Sequence, residues 1–70
     1  MRTEPRDEGV LVFNDDDRGV ASVETHLVSY DREGRIQVKK RPKEEWVVHF
    51  CAGKFSLAEL DDLLKVIAGL

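Results

Sequence analysis

The chain has 70 residues, of which 41% are hydrophobic and 36% are charged, and its net charge is −3. These values are typical of one small globular domain and exclude a disordered tail. The single cysteine, Cys51, excludes an internal disulfide, and with only two scattered histidines the chain lacks a four-ligand zinc set, so we predict neither a metal nor a cofactor.

The N-terminal residues 1–9 combine charged side chains with a proline and a closing glycine. We expect them to form a flexible polar arm before a single domain over residues 10–70. They also lack the apolar core of a signal peptide, and the longest nearly apolar run, "WVVHFCAG", is too short to cross a bilayer. We therefore expect a cytoplasmic protein without membrane contact.

Four segments have the composition of β-strands. "VLVF" at 10–13 is a short strand, and "NDDDRG" after it supplies turn residues. Apolar residues alternate from Val20 to Tyr30, which predicts a long half-buried strand, and "DREG" then predicts a hairpin loop. "RIQVKKR" alternates again, with Ile36 and Val38 facing inward, and "EWVVHFC" is apolar on both faces, as in a central strand or one covered on both sides.

The last segment, "FSLAELDDLLKVIAGL", predicts a helix. Ser56 and Glu59 have the spacing of a capping box, and Asp61 can pair with Lys65 one turn later. Gly69 fits the C-terminal end of the helix. The fold class is therefore α+β: a four-stranded antiparallel meander followed by one C-terminal helix.

The apolar surface of this helix is wider than one sheet needs. At about 100° per residue the apolar residues cover an arc of roughly 200°, whereas packing on one sheet takes little more than 100°. A small chain with excess apolar surface often associates, and two-fold dimers are the commonest oligomers. We therefore predict a homodimer through the helix, with an interface formed by Leu57, Leu60, Leu63, Leu64, Ile67 and Leu70.

Charge is distributed unevenly along the chain. Residues 18–43 have a net charge of +4, whereas residues 1–17 have −4 and residues 44–70 have −3. The positive charge is concentrated in the third strand, where alternate residues stand roughly 6.6 Å apart, close to the spacing of phosphates on a nucleic-acid strand. The predicted outward row is Arg35, Gln37, Lys39 and Arg41, flanked by Lys40 and Lys43.

Aromatic residues near this strand could stack on bases, and Tyr30 and Trp46 are the candidates. A different interpretation of the same strand is that its lysines prevent edge-to-edge aggregation. The two interpretations are nearly balanced, and the clustering of basic residues without acids favours nucleic-acid binding.

Other chemistry has less support. Asp15, Asp16 and Asp17 are consecutive and lack the spacing of a calcium loop. His49 and Cys51 share one side of a strand, but no acid is placed to orient the histidine, and no oxyanion loop is visible. We predict that the protein is not an enzyme.

Four parts of the chain carry a resemblance to a known family: "VLVFN" and "RG" within 10–19, "E…VSY" within 24–30, "RIQVKKR" at 35–41 and "GKFSL" at 53–57. In this order they resemble the positive-cofactor-four-like family of single-stranded-DNA-binding proteins, which includes transcriptional coactivators. The resemblance implies a dimer paired through its C-terminal helices, with DNA held on a curved sheet. It also implies phosphate contacts by Lys39, Arg41, Lys54 and Arg18. Glu44 and Glu45 depart from the family by placing acids beside the expected groove.

Two hypotheses about function follow. The first is a homodimeric protein that binds single-stranded DNA or RNA with little sequence specificity, as an accessory factor in transcription or replication. The second is a small protein-binding regulator that presents its basic strand or a sheet edge to an acidic partner.

Overall fold

The computed structural model describes residues 1–51 and 53–70. This part of the chain forms an antiparallel sheet of four strands, a separate two-stranded sheet, a short 3₁₀ turn and one α-helix. The elements are β1 (Arg2–Pro5), β2 (Gly9–Phe13), β3 (Gly19–Glu24), β4 (His26–Tyr30), β5 (Ile36–Lys40), the 3₁₀ turn (Lys43–Glu45), β6 (Val47–Phe50) and α1 (Leu57–Ala68).

The predicted fold class is confirmed: the protein is α+β, with a four-stranded antiparallel sheet and one C-terminal helix. The strands in that sheet differ from the expected meander, because their order is β1-β2-β3-β6, while β4 and β5 pair only with each other. The basic strand β5 is therefore outside the main sheet.

The expectation of a flexible N-terminal arm is wrong for residues 2–5, which form the edge strand β1 against β2. Side chains fix this strand in place. The guanidinium group of Arg2 lies 4.3 Å from the centre of the Phe13 ring and hydrogen-bonds to Asp17. That hydrogen bond raises the pKa of Arg2 above its ordinary value. Polar composition was a poor guide here because an edge strand can keep charged side chains in water.

The predicted strand from Val20 to Tyr30 is divided at Thr25 into β3 and β4. The cause is the length of β2, which begins at Gly9 opposite Glu24 and offers no partner to the residues beyond. After Thr25 the chain pairs with β5 instead. The division turns the end of one long strand into the first strand of a hairpin.

The core lies between α1 and one face of the main sheet. Leu63 of the helix is fully buried against Val12, Ala21 and Val23, which the register places on a single face. Ser56 begins the helix with the expected capping box, since its hydroxyl accepts from the amide of Glu59 at 3.1 Å. Val20, Trp46, Val48, Phe55, Val66 and Ile67 complete this layer.

The strand β6 is an edge strand and not the central strand that its apolar composition predicts. It pairs on one side with β3, and Val47, His49 and Phe50 remain exposed. Phe50 contacts Phe55 with ring centres 5.5 Å apart. The second edge of the sheet thus lacks the arginine and glutamate of β1, but its His49 lies 2.8 Å through Nε2 from a carboxylate oxygen of Glu24, an acid that the sequence did not place beside it.

The β4–β5 hairpin, residues 26–41, extends beyond the packed core. Every residue of β5 is exposed, including Ile36 at 62% and Val38 at 48%, so the prediction that these two face inward is wrong. The overall dimensions are 45 × 23 × 17 Å, which is elongated for so short a chain. A main sheet with its helix therefore carries a projecting two-stranded arm, which we call the ribbon.

Candidate nucleic-acid interface

The ribbon is a regular antiparallel ladder whose strands are joined by a tight turn. His26 faces Lys40, and the register continues without a shift to Tyr30 and Ile36. Beyond it, the amide of Asp31 donates to the carbonyl of Arg35 at 3.0 Å, which extends the ladder by one pair. The alternation of residues on both strands is therefore fixed to the tip.

The turn at the tip is closed by one carboxylate. Asp31 Oδ1 accepts from the amides of Glu33 at 3.0 Å and Arg35 at 2.8 Å. Gly34 has a φ of 79°, a conformation that glycine adopts without the steric cost of a Cβ. The predicted "DREG" loop is confirmed, and its geometry explains why Asp31 and Gly34 stand at its ends.

The two faces of the ribbon differ in chemistry because directly opposed residues share a face. One face, which we call the polar ribbon face, carries Ser29, Gln37 and Lys39 and, at the tip, the pair Asp31 and Arg35, with Leu27 at its base. The opposite face, the apolar ribbon face, carries Val28, Tyr30, Ile36 and Val38, with His26 and Lys40 at its base. The predicted outward row of Arg35, Gln37 and Lys39 thus lies on one face.

The ribbon and the rest of the chain have opposite charge. Residues 26–41 contain five basic and two acidic side chains, a net charge of +3. The remaining residues contain six basic and twelve acidic side chains, a net charge of −6. A cationic arm projects from an anionic body, so the middle segment of opposite sign becomes a distinct surface.

Backbone hydrogen bonds hold the base of the ribbon to the body. The carbonyl oxygen of Glu8 accepts from the amides of both Thr25 and His26, at 2.9 and 3.0 Å. On the other strand the amide of Arg41 donates to the carbonyl of Thr25 at 2.8 Å. These bonds fix the direction in which the ribbon leaves the sheet.

Arg41 ends the cationic row in a different environment from Lys39. The side chain is half-buried at the ribbon base, and its Nε is buried without a hydrogen-bond partner among the described residues. Beside it lies an open pocket of about 460 Å³ whose cationic lining includes Lys39 and Lys40. Arg41 is thus placed at the edge of the candidate surface, with Leu27, Pro42 and Glu45 as its other neighbours.

Trp46 is predicted from the sequence to stack on bases, but its ring packs against the core. The indole packs against the buried cluster, and its Nε1 donates to the carbonyl of Arg41 at 3.0 Å. Lys43 lies over the same ring at 5.5 Å and donates to the carbonyl of Ala68 at 3.1 Å. Trp46 and Lys43 therefore join the ribbon base to the helix, whereas Tyr30, 71% exposed, remains accessible near the tip.

Arg18 and Lys54 lie elsewhere. They line a pocket at the opposite end of β3 from the ribbon, together with Asp15, Asp16 and Glu59. β3 has six residues, so its length separates this pocket from the ribbon by roughly 20 Å. The resemblance implied that Arg18 and Lys54 contact phosphates together with the basic strand. The structure does not bring them together, because the basic strand lies outside the main sheet.

Sequence reasoning missed two contributors. Ser29 lies opposite Gln37 on the polar ribbon face, a pairing that only the register reveals. Glu8 acts through its backbone carbonyl, for which side-chain identity gives no signal. The hairpin periodicity could have indicated Ser29, whereas nothing in the sequence could have indicated Glu8.

The predicted dimer interface is divided by the packing of α1 on its own sheet. Leu63 is fully buried in the core of its own chain, and Ile67 packs against that core. The prediction that these two residues form part of a dimer interface is therefore wrong. Leu60 is half-buried, while Leu57 is 86% exposed and Leu64 56% exposed. An apolar flank of the helix is left open, and Leu70 at its end is also exposed.

Comparison with known proteins gives no relative: no family model, curated protein or solved structure matches the chain. The resemblance to the positive-cofactor-four-like family therefore stays a prediction. Within the described residues, no helix has the length and apolar content needed to cross a membrane.

Proposed function

We propose that the protein binds nucleic acid through the ribbon. The observation that carries this proposal is the projection of a segment with a net charge of +3 from a body with −6. Lysines on an edge strand can serve only to prevent edge-to-edge pairing, and both strands of the ribbon are edges, but Arg35 and Lys39 also share one exposed face. Its charge is available to a partner.

The cations on the ribbon have few acidic neighbours. Lys39, Lys40 and Arg35 are exposed, and none is in an ion pair within the described residues. Arg2 and Arg6, in contrast, contact acids on the body. Cations without ion-pair partners can neutralise phosphates and release counterions, which is the main sequence-independent source of nucleic-acid affinity.

The test is a salt titration of fluorescently labelled DNA binding with two charge-reversal variants. We expect the affinity for DNA to fall as the salt concentration rises. We also expect Lys39→Glu with Lys40→Glu to abolish binding, because the double substitution replaces two cations of the ribbon by anions. The matched control is Lys54→Glu with Arg18→Glu, which changes the net charge equally at the far end of the sheet. Equal loss in both variants would contradict the ribbon as the site, and no binding at low salt would contradict the function.

A homodimer is part of the proposal, supported by the open flank of α1. Leu57 and Leu64 are exposed, and Leu57 lies two residues after Phe55, whose ring contacts Phe50 on the edge strand β6. Light scattering should give twice the chain mass, and Leu57→Ser with Leu64→Ser should halve it. A wild-type mass equal to one chain would remove the dimer and leave the nucleic-acid proposal intact.

A second candidate function is protein binding, favoured by the apolar ribbon face. Tyr30, Ile36 and Val38 are exposed there, and an isolated two-stranded hairpin is only marginally stable in water. A protein partner would cover this face. A photo-crosslinking residue at position 36 distinguishes the candidates, because a crosslinked protein of defined mass supports this one and a crosslink only to DNA contradicts it.

A further inference from the structure

We infer that the nucleic acid recognised by the ribbon is double-stranded DNA, and that the polar ribbon face enters the major groove. This inference rests on the proposed function and names its substrate. It replaces the single-stranded DNA or RNA expected from the sequence, because the side chains that the structure leaves available to a ligand differ from those expected.

The dimensions of the ribbon match a major groove. Two paired strands lie about 4.8 Å apart, and with side chains the ribbon is narrow enough for the groove, which is about 12 Å wide and admits a two-stranded β-ribbon. The ribbon is free on both sides because β4 and β5 pair only with each other. Every residue of β5 is exposed, so the main sheet does not cover the strand that carries Gln37 and Lys39.

The side chains of the polar ribbon face are suited to base edges. Gln37 and Ser29 are directly opposed, and Lys39 is two residues further along the same face. Glutamine can form a bidentate pair with adenine, lysine can bind the O6 and N7 of guanine, and serine can bind either base. With Arg35 near the tip, this row extends over about 13 Å, or roughly four base pairs.

Single strands are less well matched to this surface. Binding to unpaired bases depends on aromatic stacking, and the polar ribbon face carries no aromatic residue. Tyr30 is on the opposite face, and the ring of Trp46 packs in the core. The major groove of double-stranded RNA is too deep and narrow for side chains to read. The ribbon therefore fits B-form DNA.

The first experiment compares one labelled 20-base-pair duplex of mixed sequence with each of its separate strands at low salt. We expect the duplex to bind at least tenfold more tightly than either strand. Equal or tighter binding to the single strands would overturn this inference and leave the proposed function standing. Binding to neither form would instead contradict the proposed function.

The second experiment identifies the groove and the face. Methyl green, which occupies the major groove, should be displaced from the duplex, and prior filling of the minor groove with netropsin should leave affinity unchanged. Ser29→Ala with Gln37→Ala should weaken duplex binding at least fivefold without changing its salt dependence, because neither side chain is charged. Val38→Thr, on the apolar ribbon face, is the matched control. Competition by netropsin alone, or equal effects of both variants, would overturn the assignment.

Discussion

The indole nitrogen of Trp46 donates a hydrogen bond to the carbonyl oxygen of Arg41 across the 3₁₀ turn, at 3.0 Å. The bond spans the point where the chain returns from the ribbon to the main sheet. With Lys43 bound to the carbonyl of Ala68, it joins the ribbon base, the turn and the end of α1. The single tryptophan therefore stabilises the fold, whereas the sequence analysis named it as a candidate for stacking on bases.

Replacing Trp46 by phenylalanine keeps an aromatic ring and removes the donor. We expect Trp46→Phe to lower the free energy of unfolding by about 1 kcal/mol, since the carbonyl of Arg41 loses its partner. Urea unfolding followed by circular dichroism measures this change. Tyr30→Phe, on an exposed side chain, should change stability by less than about 0.5 kcal/mol. A Trp46→Phe protein as stable as wild type would contradict the bond.

Leucines on α1 should differ sharply in their contribution to stability. Leu63→Ala removes a fully buried side chain and should cost about 2–5 kcal/mol, because it leaves a cavity against Val12 and Val23. Leu57→Ala, on the same helix but exposed in the single chain, should change stability by no more than about 0.5 kcal/mol when both proteins are compared at a concentration too low for dimers. Thermal and urea unfolding of both variants gives the comparison. Similar losses at both positions would show that another surface covers Leu57.

Two glycines provide a test of backbone contact. A Cβ on Gly9 would lie 1.7 Å from the carbonyl oxygen of Val23, a backbone atom that cannot move without disturbing β3. We expect Gly9→Ala to cost about 3 kcal/mol or more. Gly34→Asn should cost less than about 1 kcal/mol, because the tip is open and asparagine tolerates a positive φ. Chemical denaturation of the two proteins decides whether Gly9 has this role.

The ribbon should open locally while the body stays folded. Its strands have no third neighbour and every residue of β5 is exposed, so few buried contacts oppose opening. Hydrogen exchange should therefore be faster for the amides of β4 and β5 than for those of β2 and β3. Duplex DNA should slow exchange in the ribbon alone. Uniform protection across all four strands would contradict an independent arm.

Local signals predicted much of the secondary structure. The capping box at Ser56, the ion pair between Asp61 and Lys65 at 2.9 Å, and the turn closed by Asn14 all follow from neighbouring residues in the sequence. Alternation also placed Arg35, Gln37 and Lys39 on one face. Each of these features depends on residues a few positions apart, so the sequence contains the necessary information.

Long-range pairing could not be predicted in the same way. Alternation over Val20–Tyr30 does not reveal that β2 begins only at Gly9, opposite Glu24, and this limit divides the strand at Thr25. Apolar composition made β6 look central because Val47 and Phe50 give no sign of their exposure. The candidate site differs from expectation for the same reason, since position in the chain places Trp46 beside the basic strand and the family resemblance adds Lys54, and neither gives the long-range pairing.

The separation of charge gives the molecule a large permanent dipole, with its positive pole on the ribbon. A polyanion attracts that pole and repels the body, so its field exerts a torque that turns an approaching molecule ribbon-first. Approach with the acidic body first is opposed by this field, which favours one orientation before any contact forms. A protein of negative net charge can in this way approach DNA while holding its own acidic surface at a distance.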